Sequence, residues 1–389
     1  MFDRLFPAMV GCRRGVGIWI FDIEYFRGQG DNTSIYLMGQ VNIFIPQNDN
    51  TYRMEFRKVQ RAGGSSYVIS LPKEWVQSMN IKKNEPLAIK IQADGSLLIL
   101  PRPSEEKEPR TKEFDADTIE NPTFLFRCLV GSYIAGYTTV RISSSTKLSP
   151  ATRKAVRDFS SMTIGQQIVE ETDSSILVKD ILNPSEMPFE NSVKRMFVII
   201  GTMFTDVMIA LETKDRVLAE DVINRDVEVD KLQWLISRQY HLMFRDTTLP
   251  EKLHVSVEEA SNYYVVSRSL ERIGDHGVRI ASHIPILIEH DVIPEVVADM
   301  KVATKDAMEI LHSSMRALFS SDIGDANRTI DMVAGLAGMT DEISALAHRE
   351  EGELAQSIGY IAESIRRAGE YSSDIAEAII NQLIRENDG

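Results

Sequence analysis

From Pro184 to the C-terminus, apolar residues recur three and four positions apart over long stretches, and Pro and Gly fall mainly at breaks. That period commits this half of the chain to amphipathic helices packed as a bundle. About six long helices are predicted, near residues 189–213, 215–244, 254–287, 293–319, 322–349 and 353–386. Their short connections make sequence neighbours antiparallel. The helices also form two similar triplets, because Ser269-Leu-Glu-Arg-Ile-Gly-Asp-His-Gly-Val-Arg-Ile-Ala281 aligns with Ser364-Ile-Arg-Arg-Ala-Gly-Glu-Tyr-Ser-Ser-Asp-Ile-Ala376. Two repeats are expected, 186–291 and 292–389.

The chemistry of this half lies in paired carboxylates. Asp226 and Asp230 stand four apart on one predicted helix, Glu271 and Asp275 on another, and a spacing of four puts each pair on one helical face. Leu218, Val222, Asp226 and Val229 form one stripe, with Ile223, Val227, Asp230 and Trp234 beside it, so both aspartates fall on the face that points inward. Carboxylates buried without compensation cost several kcal/mol. A cation is therefore expected, held by oxygen ligands suited to Mg, Mn, Ca or Fe ions. The alternative is a salt-bridged cluster with Arg272, Arg279 or Lys231. In the second triplet Ala337 and Asp341 stand where one pair belongs, and Arg366 and Glu370 replace the other. A degraded second site at Asp341 and Glu370 is expected, with Arg366 neutralising one of them. The seven histidines show no His-x-x-x-His spacing, and no Arg/Lys cluster, base or nucleophile accompanies the acidic pairs. The expectation is a protein that is not an enzyme, with a metal-dependent phosphoesterase as the competing reading.

Residues 54–103 read differently. Phe56-Arg-Lys-Val-Gln-Arg61 and Tyr67-Val-Ile-Ser-Leu71 are strand-like around the turn Ala62-Gly-Gly-Ser-Ser66. Pro72 opens a short helix from Lys73 to Met79, and Pro86–Ile91 with Ser96–Leu100 make a hairpin around Asp94-Gly95. So small a module cannot bury enough surface alone, and dimerisation with strand exchange supplies the missing core. The whole chain has a net charge of −14, which argues against nucleic acid as a partner, yet residues 51–103 hold roughly nine Lys and Arg against four acids while residues 104–389 sum to roughly −18. Arg57, Lys58, Arg61 and Lys73 are the candidate DNA-contacting cations, with Lys82 and Lys83 behind them; counterion release is the driving force. Solvated strand charges in a pure dimerisation module or non-DNA-binding scaffold are the alternative.

Residues 1–53 hold no lasting period and are expected to be an unstructured extension or a start placed too early, with Met54 as the true start. Residues 104–185 open with a charged, proline-bearing linker and continue as a small α/β connector: helices near 123–136 and 150–161, strands near 138–143, 166–171 and 175–181. Two cysteines outside any Cys-x-x-Cys pair and the absence of an 18-residue uncharged apolar run point to a cytoplasmic protein that is not membrane-embedded.

Two resemblances follow from these motifs. Ser70-Leu-Pro-Lys-Glu-Trp75, Asn80-Ile-Lys-Lys-Asn-Glu-Pro-Leu87 and Asp94-Gly-Ser-Leu-Leu-Ile-Leu-Pro101 resemble the AbrB/SpoVT/MazE family, which implies a swapped-hairpin β dimer presenting basic residues to DNA. Arg225-Asp-Val-Glu-Val-Asp-Lys-Leu232 and Glu271-Arg-Ile-Gly-Asp-His-Gly277 resemble the PhoU family over about residues 190–386. That resemblance implies repeated three-helix bundles with metal-binding Glu/Asp-x-x-x-Asp motifs, control of phosphate uptake, and contact with a phosphate transporter or its signalling proteins. The fold class expected is multidomain: a small swapped-hairpin β domain, a small α/β connector, then a mainly α body of two three-helix-bundle repeats, as a homodimer.

Overall fold

The computed structural model describes residues 55–62, 66–91, 95–101, 110–119, 121–183, 186–290 and 292–387. The expectations for residues 1–53, for the glycine turn at 63–65, for Asp94 and for the charged stretch 104–109 fall outside the described residues. The chain divides after residue 105 into two compact units.

In the first unit, strand β1 (Gln60–Ala62) pairs antiparallel with β2 (Ser66–Val68), helix α1 spans Lys73–Ser78, and β3 (Ala88–Ile91) pairs antiparallel with β4 (Leu97–Leu100). Pro72 sits ahead of α1 in extended conformation, and Gly95 closes the second hairpin at φ +78, a conformation that glycine adopts without a Cβ penalty. The strand expected at 56–61 shortens to its last residues. Among the described residues from 55 to 101 none is buried, and Phe56, Tyr67 and Ile91 are 89%, 75% and 74% exposed. A single copy of this module thus has strands and turns but no core.

The second unit begins with strand β5 (Thr111–Asp115), in a segment expected to be linker. Its one apolar side chain, Phe114, gives no alternating pattern, which is why the strand is invisible to periodicity. A 3-10 turn (Ala116–Thr118), α2 (Pro122–Ile134), β6 (Thr139–Ser143), α3 (Pro150–Ser161), β7 (Gln166–Glu171) and β8 (Ser175–Asp180) complete an α/β layer with strand order β5-β6-β8-β7. Asn121 and Ser149 cap the two helices through Thr123 and Thr152 backbone N–H groups, each followed by proline. Pairing in register aligns Val140 with Val178 and Ile142 with Ile176. These pack with Leu125, Leu129, Val156 and Phe159 of the helices.

The bundle follows: α4 (Phe189–Thr213), α5 (Arg216–Met243), a short α6 (Leu249–Leu253), α7 (Val257–Glu289), α8 (Pro294–Ser320), α9 (Ile323–Ala347) and α10 (Gly352–Asn387). Local chemistry sets the boundaries. Lys214 and Ser321 end α4 and α8 in left-handed conformation, Asp215 and Asp322 cap the next helices, and Ser256 with Glu259 forms a capping box on α7. The triplets α4/α5/α7 and α8/α9/α10 share one continuous core, joined where α7 packs on α10 and α4 on α8. Helix α4 is long and apolar enough to cross a membrane. In this fold its Val193, Met196, Ile200, Met203, Phe204 and Val207 are buried in the bundle core.

The α/β layer is joined to the bundle through α5. Trp234 enters the α/β core, meeting Phe126 edge to face at 6.3 Å. One turn on, Arg238 is 2% exposed. It pairs with Asp180 at 2.5 Å, donates to the Tyr133 carbonyl oxygen, and lies 4.8 Å from the Tyr133 ring. Burial pushes both the Tyr133 phenol and the Asp180 carboxyl above their ordinary values, the latter despite the guanidinium beside it. Removing one partner of such a pair leaves the other charge stranded. Arg238→Ala is expected to destabilise the chain by about 3–5 kcal/mol in urea unfolding, and Arg238→Met with Asp180→Leu to recover most of that loss. A double variant no more stable than the single one would contradict this account.

Candidate functional site

Helices α5 and α7 cross at a glycine. A Cβ built on Gly274 would stand 3.1 Å from Asp226 Oδ1, 3.5 Å from Val229 Cγ1 and 3.9 Å from Ile200. The bare backbone of Gly274 is what lets the Asp226 carboxylate lie against α7. Asp226 and Asp230 are 9% and 6% exposed, so the inward placement read from the stripes is where the structure puts them. Glu271 and Asp275 flank Gly274 on α7 and are half-buried. All four carboxylates interact with neighbouring groups, and among the described residues no three His, Cys, Asp or Glu side chains form a compact ligand cage. The candidate site is the Asp226 carboxylate against α7 at Gly274, with Asp230 one turn along α5 and Glu271 and Asp275 on either side of that glycine in sequence. Its donor set is all oxygen, which fits a hard cation such as Mg, Mn or iron rather than a thiolate-seeking metal.

Other charges frame the crossing. Arg225, next to Asp226, is held at 2.6 Å by Asp206 and at 2.9 Å by Asp221, and Lys231 pairs with Glu228 at 2.7 Å. Arg272 lies 5.3 Å from the Tyr371 ring and Arg279 5.9 Å from the Tyr360 ring. His276 also sits beside Tyr371, at 5.7 Å. Burial first, then Arg279 and Arg367, bring its imidazole down to about 4, so it is neutral at physiological pH.

The second repeat keeps the crossing and loses the acids. Gly369 occupies the place of Gly274; its Cβ would meet Leu336 Cδ2 at 2.2 Å and Ile310 Cδ1 at 3.4 Å. Leu336 therefore stands where Asp226 stands, and Ile310 where Ile200 does. Four residues on, Thr340, 2% exposed, takes the place of Asp230. Its hydroxyl turns back to the Leu336 and Ala337 carbonyl oxygens at 3.1 and 3.0 Å. This corrects the expectation that Ala337 and Asp341 fill these positions, since Asp341 is exposed and one residue off the face. Small residues over Ala334-Gly-Leu-Ala-Gly338 blur the period there and permit a one-residue slip. On α10, Arg366 holds Glu363 at 2.6 Å and Glu370 at 3.7 Å, and Arg367 reaches Glu370 at 2.8 Å. At the positions matching Asp226, Asp230, Glu271 and Asp275 stand Leu336, Thr340, Arg366 and Glu370, so one acid remains of four.

In the first unit Arg57, Lys58, Arg61, Lys73, Lys82 and Lys83 are all exposed. Arg57 pairs with Glu55. Arg61 is the cross-strand partner of Tyr67, which places a cation and an aromatic ring on one face of the first hairpin. Sequence reasoning missed Arg238 and Asp180; the four-residue run Asp226, Asp230, Trp234, Arg238 was the available signal.

Residues 193–284 match the family model of the PhoU domain, and residues 60–107 that of the antidote-toxin recognition MazE, bacterial antitoxin family. The chain is 23% identical over 198 residues to the phosphate-specific transport system accessory protein PhoU homolog 1 of Thermotoga maritima, covering 49% of this chain and 84% of that one. It is 25% identical over 209 residues to a PhoU homolog of Caulobacter vibrioides, covering 50% and 86%. The crystal structure of PhoU from Pseudomonas aeruginosa is similar with a TM-score of 0.45 and 17% identity, over 51% of this chain and 96% of that one. The chain joins an N-terminal domain of the MazE/AbrB type to a PhoU domain.

Proposed function

We propose that this protein is a dimeric regulator of phosphate transport, which takes up hard cations at Asp226, Asp230, Glu271 and Asp275 and engages DNA through Arg57, Lys58, Arg61 and Lys73. The observation that carries the reading is that both carboxylate pairs lie within residues 193–284, the stretch matching the PhoU domain. Relatives over that half are phosphate-specific transport system accessory proteins. Its partners on this reading are a phosphate transporter or its signalling proteins, and its action is regulatory. Asp226 and Asp230 are buried acids on the helix that packs against the one carrying Glu271 and Asp275, and burial makes their charge costly, a cost that a divalent cation or iron would offset. When bound, the metal supplies charge neutralisation that ties α5 to α7. Dimerisation is supported by the coreless first unit, whose apolar side chains need a second copy to cover them.

Three measurements test these parts separately. Elemental analysis of the full chain after loading with Mn or Fe is expected to find bound metal that is lost in Asp226→Asn/Asp230→Asn; equal metal in both contradicts the site. Sedimentation at about 10 μM, a concentration at which a stable interface stays associated, is expected to show a two-chain species, and a monomer contradicts the shared core. Binding to a mixed-sequence duplex at low salt is expected to weaken in Arg57→Ala/Arg61→Ala, with a salt slope shallower by about 0.9 for each phosphate contact removed. Unchanged affinity and slope would leave the module as a dimerisation unit.

A further inference from the structure

Along the seam where α7 packs on α10, one pattern occurs twice. Arg272 and His276 stand four apart on α7, as do Arg279 and His283, and each pair gathers round one tyrosine of α10. Arg272 lies 5.3 Å and His276 5.7 Å from the Tyr371 ring. Arg279 lies 5.9 Å from the Tyr360 ring; His283 stacks on that ring at 5.0 Å, and its Nδ1 meets Ser357 Oγ at 3.1 Å. Spacings of four and seven place these side chains of α7 on one face. That face is open to solvent in part: Arg279 and Tyr360 are exposed, and Arg272, His276, His283 and Tyr371 are half-buried.

The charges along the seam are unbalanced. Glu363 and Glu370, the acids of α10 beside it, are held by Arg366 and Arg367. Among the described residues Arg272 and Arg279 form no ion pair and keep their tyrosines as partners. The charge of Arg272 is felt at Asp374 without an ion pair between them. Burial, then Arg279, holds both imidazoles below the usual histidine range, so the guanidiniums carry the positive charge at physiological pH. A guanidinium beside an aromatic ring thus repeats two helical turns apart, about 10.5 Å along the axis. It does so on a body whose residues 104–389 sum to roughly −18.

Arginine and tyrosine are the side chains that most often anchor a protein interface, and a cationic strip on an acidic body selects an acidic partner. Carboxylates seven apart on a partner helix recur at the interval of Arg272 and Arg279. The exposed Tyr360 ring offers apolar surface that a bare chain of phosphates cannot use, and the line charge of a nucleic acid is repelled by the acidic body around the seam. We propose that the α7–α10 seam is a docking surface for an acidic helical segment of a partner protein. Arg272 and Arg279 pair with its carboxylates, and Tyr360 packs against an apolar side chain between them. The proposal rests on the regulatory reading only in expecting a protein partner.

The probe is a fluorescein-labelled amphipathic peptide with Glu seven residues apart beside Leu, titrated with the full chain at low salt and read by anisotropy. Arg272→Gln/Arg279→Gln is expected to weaken binding about tenfold, and Tyr360→Ala, which removes no charge, several-fold. Arg195→Gln/Arg328→Gln removes as much charge from arginines that already have carboxylate partners, and is expected to change affinity less than about twofold. Equal affinity in the two double variants overturns the proposal, as does no binding by the wild type at about 100 μM. Inorganic polyphosphate or a single-stranded oligonucleotide that binds tighter than the peptide, and loses that binding in Arg272→Gln/Arg279→Gln, also overturns it and makes the seam a polyanion site. Metal content and duplex binding report on other residues, so their failure leaves the peptide result standing.

Discussion

Much of the larger unit depends on what helix α5 is required to bury. Asp226, Asp230, Trp234 and Arg238 follow one another at four-residue intervals. At 3.6 residues per turn, each such step swings the side chain about 40° around the helix, so the run turns through about a third of a circle. Asp226 meets α7 at its glycine, and Trp234 and Arg238 meet the α/β layer. One helix therefore carries an acidic face toward one neighbour and an aromatic and cationic face toward another. Helix α5 cannot rotate or slide against α7 without breaking the seat of Arg238.

The two repeats place different side chains at the same crossing. Both keep the glycine at the crossing, at positions 274 and 369, and both keep an isoleucine from the first helix of the triplet nearby. The backbone solution is shared while the chemistry is not. In the second repeat Leu336 fills the crossing with apolar contact and Thr340 bonds to its own helix, as a structural repeat should. Asp226 and Asp230 in the matching positions bury charge where the second repeat buries Leu and Thr. On the proposed reading, a bound cation is what offsets the cost of acids at these positions.

Most of the bundle was legible in the sequence because amphipathic periodicity and caps act locally: Phe189–Thr213 is the predicted span, and the other five long helices shift by a few residues at their ends. What escaped was decided by tertiary partners. Strand β5 forms because β6 offers an edge, not because Thr111–Asp115 alternates. The short helix α6 hides in a connection. Asp341 was misplaced by one residue because the small side chains of α9 do not mark its buried face. Arg238 reads as a surface cation until Asp180, 58 positions earlier, is brought beside it. The candidate acids were legible for the opposite reason: they interrupt an apolar stripe where a charge is costly.

On the proposed reading, cation binding is confined to the first repeat. Anomalous scattering from crystals of the full chain grown with Mn tests it most directly. An anomalous peak is expected within coordination distance, about 2.0–2.6 Å, of oxygens from Asp226 or Asp230 on α5 and Glu271 or Asp275 on α7, and none beside Thr340 and Glu370. A peak at the second crossing, or none at the first while Mn remains bound elsewhere, would contradict it.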